Sequence, residues 1–530
     1  MPLLPYGLVN RLNMKNRGTL FIAIVVSLGG FLFGFDAAVI SGVNSFITAE
    51  FDLTSLQLGW VVSSVTISSA LAMLFVGKIS DVVGRKKVLI FVALLYSISA
   101  IFSALAPSYP ILVVARLIGG LAFGSALVLV PVYIAELVPA EKRGSMVSIN
   151  QLAIVTGFSI AYFSNYFLLS LSDSTADLIT NLGINTHTWR WMLGLEAFPA
   201  LIYFFLLFLI PNSPRWLLLK GKKEEAQQIL NNVNGPDGGK AVMNDILKSI
   251  ESSSAEANSS FFALLSPRYR MIIYVALIVG VAQMAVGINA VFFYATNIFE
   301  LTGMGRDAAF VQSVWVGLIN VAFTILAIVL IDRIGRRPLL LAGLAGIAIS
   351  LLVVSYGFNE AVYELNEEKL ANLTLNMDKN LLNPLVGVTY ESDVAFNDAL
   401  VSTIGRKEAA LYKGDILKAA VELNPYLLLV GILGFVACFA FSLGPVMWVL
   451  LSEIFPNSIR GIAVSTIGFV NSLTSYFVVQ FFPWQLETFG NVSTFMIFAL
   501  SALIALGLLY KLLPETKGKS LEELELELVK

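Results

Sequence analysis

The run Asp81-Val82-Val83-Gly84-Arg85-Lys86-Lys87 lies between two long apolar stretches, and Asp332-Arg333-Ile334-Gly335-Arg336-Arg337 has the same setting later in the chain. Tight basic clusters with apolar segments on both sides are typical of short cytoplasmic loops between membrane helices. Because the run occurs twice, it indicates two copies of one helical unit. Internal repeats of this kind are the organisation of many transporters.

The composition is that of a membrane protein. Of 530 residues, 57% are hydrophobic and only 13% are charged, against about 25% charged in a soluble domain. Cys438 is the only cysteine and His187 the only histidine. The chain therefore has no intrachain disulfide and almost no material for a histidine-based metal site or catalytic triad. We expect no metal, no cofactor and no nucleic-acid partner.

Twelve stretches are long and apolar enough to cross a bilayer, which takes about 20 residues each. They lie near residues 20–41, 59–79, 88–106, 111–134, 147–169, 191–211, 271–299, 309–331, 338–356, 426–452, 459–483 and 493–513. We number them spans 1 to 12. The first shows no convincing cleavage site, so we interpret it as a span and not as a signal peptide.

Lysine and arginine predict the orientation of these spans. The basic residues cluster before span 1 and after spans 2, 4 and 8, at Arg11, Lys15, Arg17, Arg85, Lys86, Lys87, Lys142, Arg143, Arg333, Arg336 and Arg337. Stretches 42–58, 107–110 and 484–492 contain no lysine or arginine. The asymmetry predicts that both termini are cytoplasmic.

Two further segments fall outside the spans. Residues 212–270 are polar and predict a cytoplasmic linker of helices between a bundle at 1–211 and a bundle at 271–530. Residues 357–424 carry 11 acidic and 6 basic side chains, so they predict an external insertion. Gly84 and Gly335 are 251 residues apart, whereas Glu136 and Glu453 of a second repeated motif are 317 apart. The difference of 66 residues matches the insertion, which therefore lies outside the repeat.

These motifs, taken together, resemble the sugar porter family of the major facilitator superfamily. They read Gly77-x3-Asp81-x2-Gly84-Arg85-Lys86-Lys87, Pro211-Asn212-Ser213-Pro214-Arg215-Trp216, Glu453…Arg460-Gly461 and Pro514-Glu515-Thr516-Lys517-Gly518. The resemblance covers nearly the whole chain and is greatest to bacterial xylose–proton symporters. It implies an all-α membrane protein with twelve transmembrane helices in two pseudo-symmetric six-helix bundles, which move a monosaccharide or polyol with a proton by alternating access. A cell-membrane location and a functional monomer are part of the same expectation.

The repeated basic clusters predict a cytoplasmic gate. Arginines at helix ends can pair with Glu136 and Glu453 and with helix C-terminal carbonyl groups. We expect these pairs to hold the two halves together when the protein is open to the outside. The candidate gate residues are Arg85, Glu136, Arg143, Arg336, Glu453 and Arg460. Plain positive-inside topology is the alternative interpretation, and we favour it for Lys86 and Lys87.

Asp36 lies well inside span 1, where a charged side chain is costly and indicates function. Arg116, early in span 4, is the obvious partner. Protonation of Asp36 would release Arg116, so the pair predicts a proton-coupling device. The resemblance agrees, because Asp36 aligns with the acidic residue of the proton symporters. A static structural ion pair is the alternative.

Amide side chains suit a sugar, because they both donate and accept hydrogen bonds. Gln283, Asn289, Asn320 and Asn471 lie in spans 7, 8 and 11, and by resemblance all four match sugar-contacting positions. Aromatic rings can stack on a pyranose, and the candidates are Phe33, Phe293, Tyr294 and Trp448.

The chain also departs from the family pattern. The family has a glutamine in span 5 where this chain reads Gly157-Phe158, and a second glutamine in span 7 where it has Met284. It has a tryptophan in span 10 where this chain has Leu443, and a glutamate where this chain has Asn212. Loss of polar contacts predicts altered affinity for a fully hydroxylated ligand.

Two alternatives to proton-coupled sugar transport remain. One is a uniporter, or a porter for another small solute, which the three apolar replacements favour. The other is a non-transporting nutrient sensor, which the 16 residues after Pro514 disfavour because sensors tend to carry long signalling tails. No motif indicates an enzyme, and no Walker-type loop indicates an ATP-driven pump.

Overall fold

The computed structural model describes residues 18–255, 264, 266–373 and 377–517. Arg11, Lys15 and Arg17 lie outside this range. Within it, eleven helices are long and apolar enough to cross a membrane. The last, Asn457–Leu512, has 56 residues and a break at Gly490, where φ is 78° and ψ is 174°. It therefore supplies both spans 11 and 12, and the prediction of an all-α protein with twelve spans is confirmed.

The helices of the first six spans follow one another with short connections. Their bounds are Thr19–Phe51, Ser55–Val83, Arg85–Ala104, Tyr109–Leu137, Ala140–Ser172, the short Asp177–Asn181, and span 6 as Thr188–Gly194 and Ala197–Leu207. The helices extend well past the predicted apolar cores. Span 1, for example, continues ten residues beyond the predicted end at residue 41, through a mixed polar and apolar stretch in which Val43, Asn44 and Ile47 are buried.

The second set of spans is more broken. Span 7 is Arg270–Ala285 and Ile288–Phe293, preceded by the 3-10 turn Pro267–Tyr269 and followed by the short helix Ala295–Glu300. Spans 8 and 9 are Arg306–Ile334 and Arg336–Asn359, and span 10 is Pro425–Phe441 with Leu443–Ile454. The break in span 7 requires Gly287, because its φ is 87° and a Cβ atom would lie 2.5 Å from the ring of Phe498. Broken helices expose backbone groups that the site uses.

The repeat seen in the motifs has a structural counterpart. Gly84 ends span 2 and Gly335 ends span 8, each with a φ of 104°. In both places the next helix begins at once, with Arg85 or Arg336 as its first residue. The same left-handed backbone thus turns the chain at equivalent points of the two copies.

Spans 1 and 5 approach each other closely. A Cβ atom on Gly34 would lie 1.9 Å from the carbonyl oxygen of Ile154, and one on Gly157 would lie 2.1 Å from that of Phe31. Small residues let membrane helices pack backbone to backbone. Gly157 is therefore a packing residue, and no longer side chain fits there without moving the two helices apart.

Spans 1–6 and spans 7–12 are joined at the face opposite the basic loops. We call this set of contacts the seam. Its hydrogen bonds include Ser41–Thr296 at 2.9 Å, Asn44 to the Phe293 carbonyl at 3.0 Å, Asn44–Asn297 at 2.9 Å, Ser45–Glu300 at 3.2 Å, Ser63–Gln480 at 2.8 Å and Tyr162 to the Phe292 carbonyl at 2.6 Å. The protein is therefore closed at that face.

The segment between spans 6 and 7 begins with a capped helix. Ser213 precedes Pro214–Leu219 and accepts a hydrogen bond from the backbone N–H of Trp216 at 3.2 Å. The second helix, Lys223–Ala255, bends at Gly235, where φ is 77°. Both helices lie within residues 212–270, the segment that the sequence predicts as a linker.

The insertion is a small folded unit. Span 9 continues to Asn359, so the unit begins at Glu360 and not at the predicted residue 357. It contains β1 (Val362–Glu364), a helix (Glu367–Asn372), a 3-10 turn (Lys379–Leu385), β2 (Thr389–Tyr390), a long helix (Asp393–Ala420) and β3 (Val421–Glu422). The strands form an antiparallel sheet in the order β2-β1-β3.

The insertion has a hydrophobic core of its own. It contains Tyr363, Leu382, Phe396, Leu400 and Ile416, all nearly inaccessible to solvent. The unit also docks on the spans, since the Asp393 carboxylate accepts a hydrogen bond from the backbone N–H of Asn491 at 2.7 Å. That N–H is near the start of span 12, just after the Gly490 break. The insertion is thus a structured cover and not a loose loop.

Candidate functional site

Asp36 and Arg116 form an ion pair inside the protein. Nη1 of Arg116 donates to Oδ1 of Asp36, and the two side chains are 2% and 3% exposed. A buried pair of this kind is costly to break by removing one partner. The pairing predicted from the two spans is therefore present in the structure.

Glu196 joins this pair, and the sequence reasoning missed it. It is buried at the junction between the two helices of span 6, where it interacts with both Asp36 and Arg116. Oδ2 of Asp36 makes no hydrogen bond of normal geometry to any described residue. Two carboxyl groups and one guanidinium thus share one buried site. The rule that picked out Asp36, an acid inside an apolar span, would also have found Glu196.

Gln283 and Asn471 are held together in the second half. Gln283 donates its amide to the carbonyl of Leu443 at 2.9 Å and of Gly444 at 3.3 Å. Asn471 donates to Oε1 of Gln283 at 2.9 Å and to the carbonyl of Gly280 at 2.8 Å. Both carbonyl groups belong to the first turn of the second helix of span 10, just after the break. The glutamine therefore links spans 7, 10 and 11 at the two breaks.

The other two predicted amides differ in their surroundings. Asn289 donates to the hydroxyl of Ser475 at 2.7 Å and contacts the sulfur of Met284 at 3.3 Å. Asn320 is 4% exposed and makes no hydrogen bond to a described residue. Sequence reasoning did not single out Ser475, which lies one helical turn from Asn471 in span 11.

The aromatic candidates divide into packed and accessible rings. Phe33 packs against Phe123 and Phe158, with centroids 3.8 Å and 6.4 Å away. Phe158 in turn contacts Phe292 of span 7 at 4.8 Å, so it helps to join the halves. Trp448 is 43% exposed, which makes it the accessible ring.

The remaining apolar candidates are buried in the second half. Leu443 is fully buried, and Phe293 packs within the seam. Tyr294 uses its hydroxyl to donate to the carbonyl of Val479 at 3.2 Å. These side chains shape the region around the amides but present no free polar group to it.

The first basic cluster is a dense network. Arg85 contacts Asp81 at 2.5 Å and Glu136 at 3.1 Å, and it donates to the carbonyl of Ser80. Ser213 donates its hydroxyl to the other oxygen of Glu136. The linker that follows span 6 is thereby tied to spans 2, 3 and 4.

The second cluster repeats this arrangement. Arg336 contacts Asp332 at 3.0 Å and Glu453 at 2.7 Å, and Thr516 donates to Glu453 at 2.6 Å. Glu515 accepts from the backbone N–H groups of Arg336 and Arg337, at 3.1 Å and 3.2 Å. A carboxylate at a helix N-terminus satisfies its free N–H groups and its dipole. Residues after span 12 thus take the place that Ser213 has in the first cluster.

The gate predictions fare differently from one another. Both ion pairs join helices of the same half, and the expectation that they hold the halves together, made for the protein open to the outside, stays a prediction. Arg460 does not pair with Glu453; its Nε donates to the carbonyl of Phe455 at 3.1 Å. The side chain of Arg143 lies outside the described residues.

Lys86 was interpreted as plain topology, yet it donates to the carbonyls of Phe208 and Ile210 at 3.0 Å and 2.7 Å, which caps span 6.

Comparison with known proteins places this arrangement in a family. The family "Sugar (and other) transporter" matches residues 22–375 and 405–528, which is most of the chain. The chain belongs to this family. The unmatched stretch between the two ranges lies within the insertion. This membership confirms the predicted sugar-porter resemblance and makes the chain a multi-pass membrane protein.

Members of the sugar transporter family with assigned names are similar over nearly their whole length. The arabinose-proton symporter of Bacillus subtilis strain 168 is 33% identical over 507 residues, covering 96% of this chain and 94% of that protein. The D-xylose-proton symporter of Escherichia coli K12 is 32% identical over 536 residues, covering 95% and 94%.

Solved structures in the family share the fold. The inward open conformation of the xylose transporter XylE from E. coli superimposes with a TM-score of 0.72 at 31% identity, covering 96% of this chain and 99% of that one. The proton:xylose symporter XylE bound to 6-bromo-6-deoxy-D-glucose gives a TM-score of 0.70 at 32% identity, covering 97% and 100%. The predicted major facilitator fold is confirmed.

Proposed function

We propose that this sugar transporter family member is a proton-coupled symporter of a neutral monosaccharide or polyol in the cell membrane. The observation that carries the proposal is the buried group of Asp36, Arg116 and Glu196. A static ion pair needs one carboxylate for one guanidinium. A second carboxyl group in the same buried site allows one of the two to take up and release a proton while the other holds the guanidinium.

In this mechanism the proton acts through Arg116. Protonation of Asp36 weakens its hold on Arg116, and the arginine then turns toward Glu196. Because Asp36 is on span 1 and Arg116 on span 4, the exchange changes how these two helices pack. A ligand or proton shifts an alternating-access equilibrium only by binding one state better than the other.

The sugar site in this proposal is formed mainly by the second half. Asn320 has a free amide, Trp448 has an accessible ring, and Asn289 with Ser475 and Gln283 with Asn471 are pairs that a ligand can open. Phe158, Met284 and Leu443 would make the wall of the site more apolar than the family pattern. That composition favours a solute with fewer hydroxyl groups facing those side chains.

The basic loops would face the cytoplasm, with both termini on that side. The seam then lies on the outer side, and the conformation described above is inward-facing. The clusters around Arg85 and Arg336 would be the cytoplasmic gate in its open form. The chain would work as a monomer, with residues 1–211 and 271–530 as the moving bundles and 212–270 as the linker.

Uptake into proteoliposomes tests this function. Labelled D-xylose, L-arabinose, D-glucose and myo-inositol are offered with and without an inside-alkaline pH gradient. Accumulation of at least one solute above the outside concentration, only with the gradient, is the expected result. Uptake that equilibrates and ignores the gradient would instead establish the uniporter that Phe158, Met284 and Leu443 favour. No uptake of any solute would overturn the proposal.

A further inference from the structure

A cavity of about 220 Å³ lies beneath the insertion, at the face of the protein opposite the basic loops. Its walls come from spans 1–6, from spans 7–12 and from the insertion. Ser45 and Thr48 belong to the end of span 1, Asn297 and Glu300 to the short helix after span 7, Glu487 to the helix Asn457–Leu512, and Lys413 to the long helix of the insertion. Arg406 also lines the cavity and is exposed, so the cavity reaches the surface.

The lining offers many hydrogen-bonding groups and little net charge. Lys413 donates to Oδ1 of Asn397 at 2.7 Å, and Asn297 donates to the hydroxyl of Ser45 at 3.0 Å. The charged residues are three acids, Glu300, Asp393 and Glu487, and two bases, Arg406 and Lys413. Because charges of both signs line the cavity, a strongly charged ligand of either sign would meet like charges in it. A neutral ligand with several hydroxyl groups can use both donors and acceptors.

Aromatic rings complete the wall. Tyr294 and Phe482 lie side by side in it, with centroids 5.2 Å apart, and Tyr363 with Phe396 contributes a stacked pair from the insertion. Rings beside amides and carboxylates suit the two faces of a sugar, one apolar and one hydroxylated. The volume is that of a small solute, since a water molecule occupies ~30 Å³ in the liquid.

This cavity is separate from the candidate transport site. Tyr294 is the one candidate sugar-site residue that lines it; the amides Gln283, Asn289, Asn320 and Asn471 do not, and neither does Asp36. Part of its roof, including Asp393 and Asn397, comes from the stretch 376–404 that the family match leaves out. The family pattern therefore does not account for it.

We propose that this cavity is a second binding site, roofed by the insertion, for a neutral polyhydroxylated solute. The proposal rests on the proposed function only for the choice of ligand class. A solute held there contacts both halves and the insertion at once, so it binds the closed seam better than an open one. Binding to one state stabilises that state by mass action. Excess solute outside will therefore slow the transport cycle.

Equilibrium binding to the purified full-length protein tests the site directly, with tritiated D-glucose and, in a parallel series, tritiated D-xylose as probes. We expect two bound molecules per chain for the native protein. Lys413→Met and, as an independent variant, Asn397→Ala should each weaken binding of the same one of the two molecules roughly tenfold, the effect of losing a partly buried hydrogen-bonding partner. Lys407→Met is the matched control, because Lys407 is an exposed neighbour on the same helix and does not line the cavity.

Gln283→Ala should weaken the other bound molecule and leave the Lys413-dependent one. In uptake, native protein should be inhibited at high outside solute, and Lys413→Met should remove that inhibition. A single bound molecule in the native protein, or two that ignore both insertion variants, would overturn the second site. Failure of proton-driven uptake would overturn the proposed function instead, and Lys413-dependent binding would still be measurable.

Discussion

Glu300 accepts a hydrogen bond from Ser45 of span 1 at 3.2 Å, across the seam between the two halves. It ends the short helix Ala295–Glu300, beyond the apolar stretch Pro267–Phe293 that crosses the membrane. Burial raises the pKa of Glu300 from 4.5 to about 7, which outweighs the opposing effect of Arg306, the Ser45 hydroxyl and Lys413; Asp415 adds to the rise. Arg306 in turn stacks on Phe46 of span 1, 4.1 Å from the ring centroid. A titrating carboxyl group therefore lies where the halves meet.

The closed seam should be more stable in acid. The pKa of Glu300 is higher in the folded protein than in the unfolded chain. Its contribution to the stability of the folded protein is therefore fully present below about pH 4.5 and is lost as the pH rises through about 7. We expect the melting temperature of the native protein to fall by a few degrees between about pH 5 and about pH 8, relative to Glu300→Gln. Glu360→Gln, at an exposed glutamate, is the control. Equal pH profiles for Glu300→Gln and the native protein would contradict this role.

Asp36→Asn should abolish accumulation of solute against a gradient and leave exchange across the membrane largely intact. The variant keeps the shape of the side chain. Its amide, however, carries no negative charge to hold Arg116 and cannot take up and release a proton. Uphill uptake and counterflow in proteoliposomes measure the two activities. Glu196→Gln should shift the pH dependence of uptake, because it removes the second carboxyl group. Asp307→Asn, at an exposed aspartate that begins span 8, is the control. Retained uphill transport in Asp36→Asn would exclude proton coupling at this residue.

Gln283→Ala should weaken apparent affinity at least roughly tenfold, since removing one partner of a buried hydrogen bond costs about 1–3 kcal/mol. The structure strengthens this expectation, because the amide also supports the carbonyls of Leu443 and Gly444 and the side chain of Asn471. Gln228→Ala, at an exposed position in the linker, is the control. Affinity is measured by binding to the purified protein. Unchanged affinity in both Gln283→Ala and Asn289→Ala would show that the site lies elsewhere.

Replacing residues 360–420 with a short Gly/Ser linker should leave a folded protein whose uptake changes by no more than a few-fold. The insertion has its own core and lies outside the repeat, and long surface segments cost little in loop-closure entropy. Loss of its contact with Asn491 should lower the melting temperature, and inhibition by excess solute should disappear. A variant that folds and reaches the membrane but no longer binds solute would show that the insertion is an obligatory lid.

The sequence determined the fold and much of the charge pattern. Apolar length and the repeated Asp–x–x–Gly–Arg runs predict twelve spans and a duplicated unit, because lipid accepts only long, internally bonded helices. The pair of Asp36 and Arg116 followed from the same physics, since two charges inside spans must find each other. Glu196 satisfies the same rule, so it could have been predicted from the sequence.

Tertiary structure decided what the repeats leave open. Glu453 pairs with Arg336 and not with Arg460, and Glu515 caps the start of span 9. Both results depend on which side chains can reach each other between helices that are far apart in sequence. The same holds for the insertion, whose acidic excess indicated only an exposed segment. Only the docked unit places Lys413 beside the seam at Glu300 and encloses a cavity there, because a cavity exists only once three separate parts of the chain have packed together.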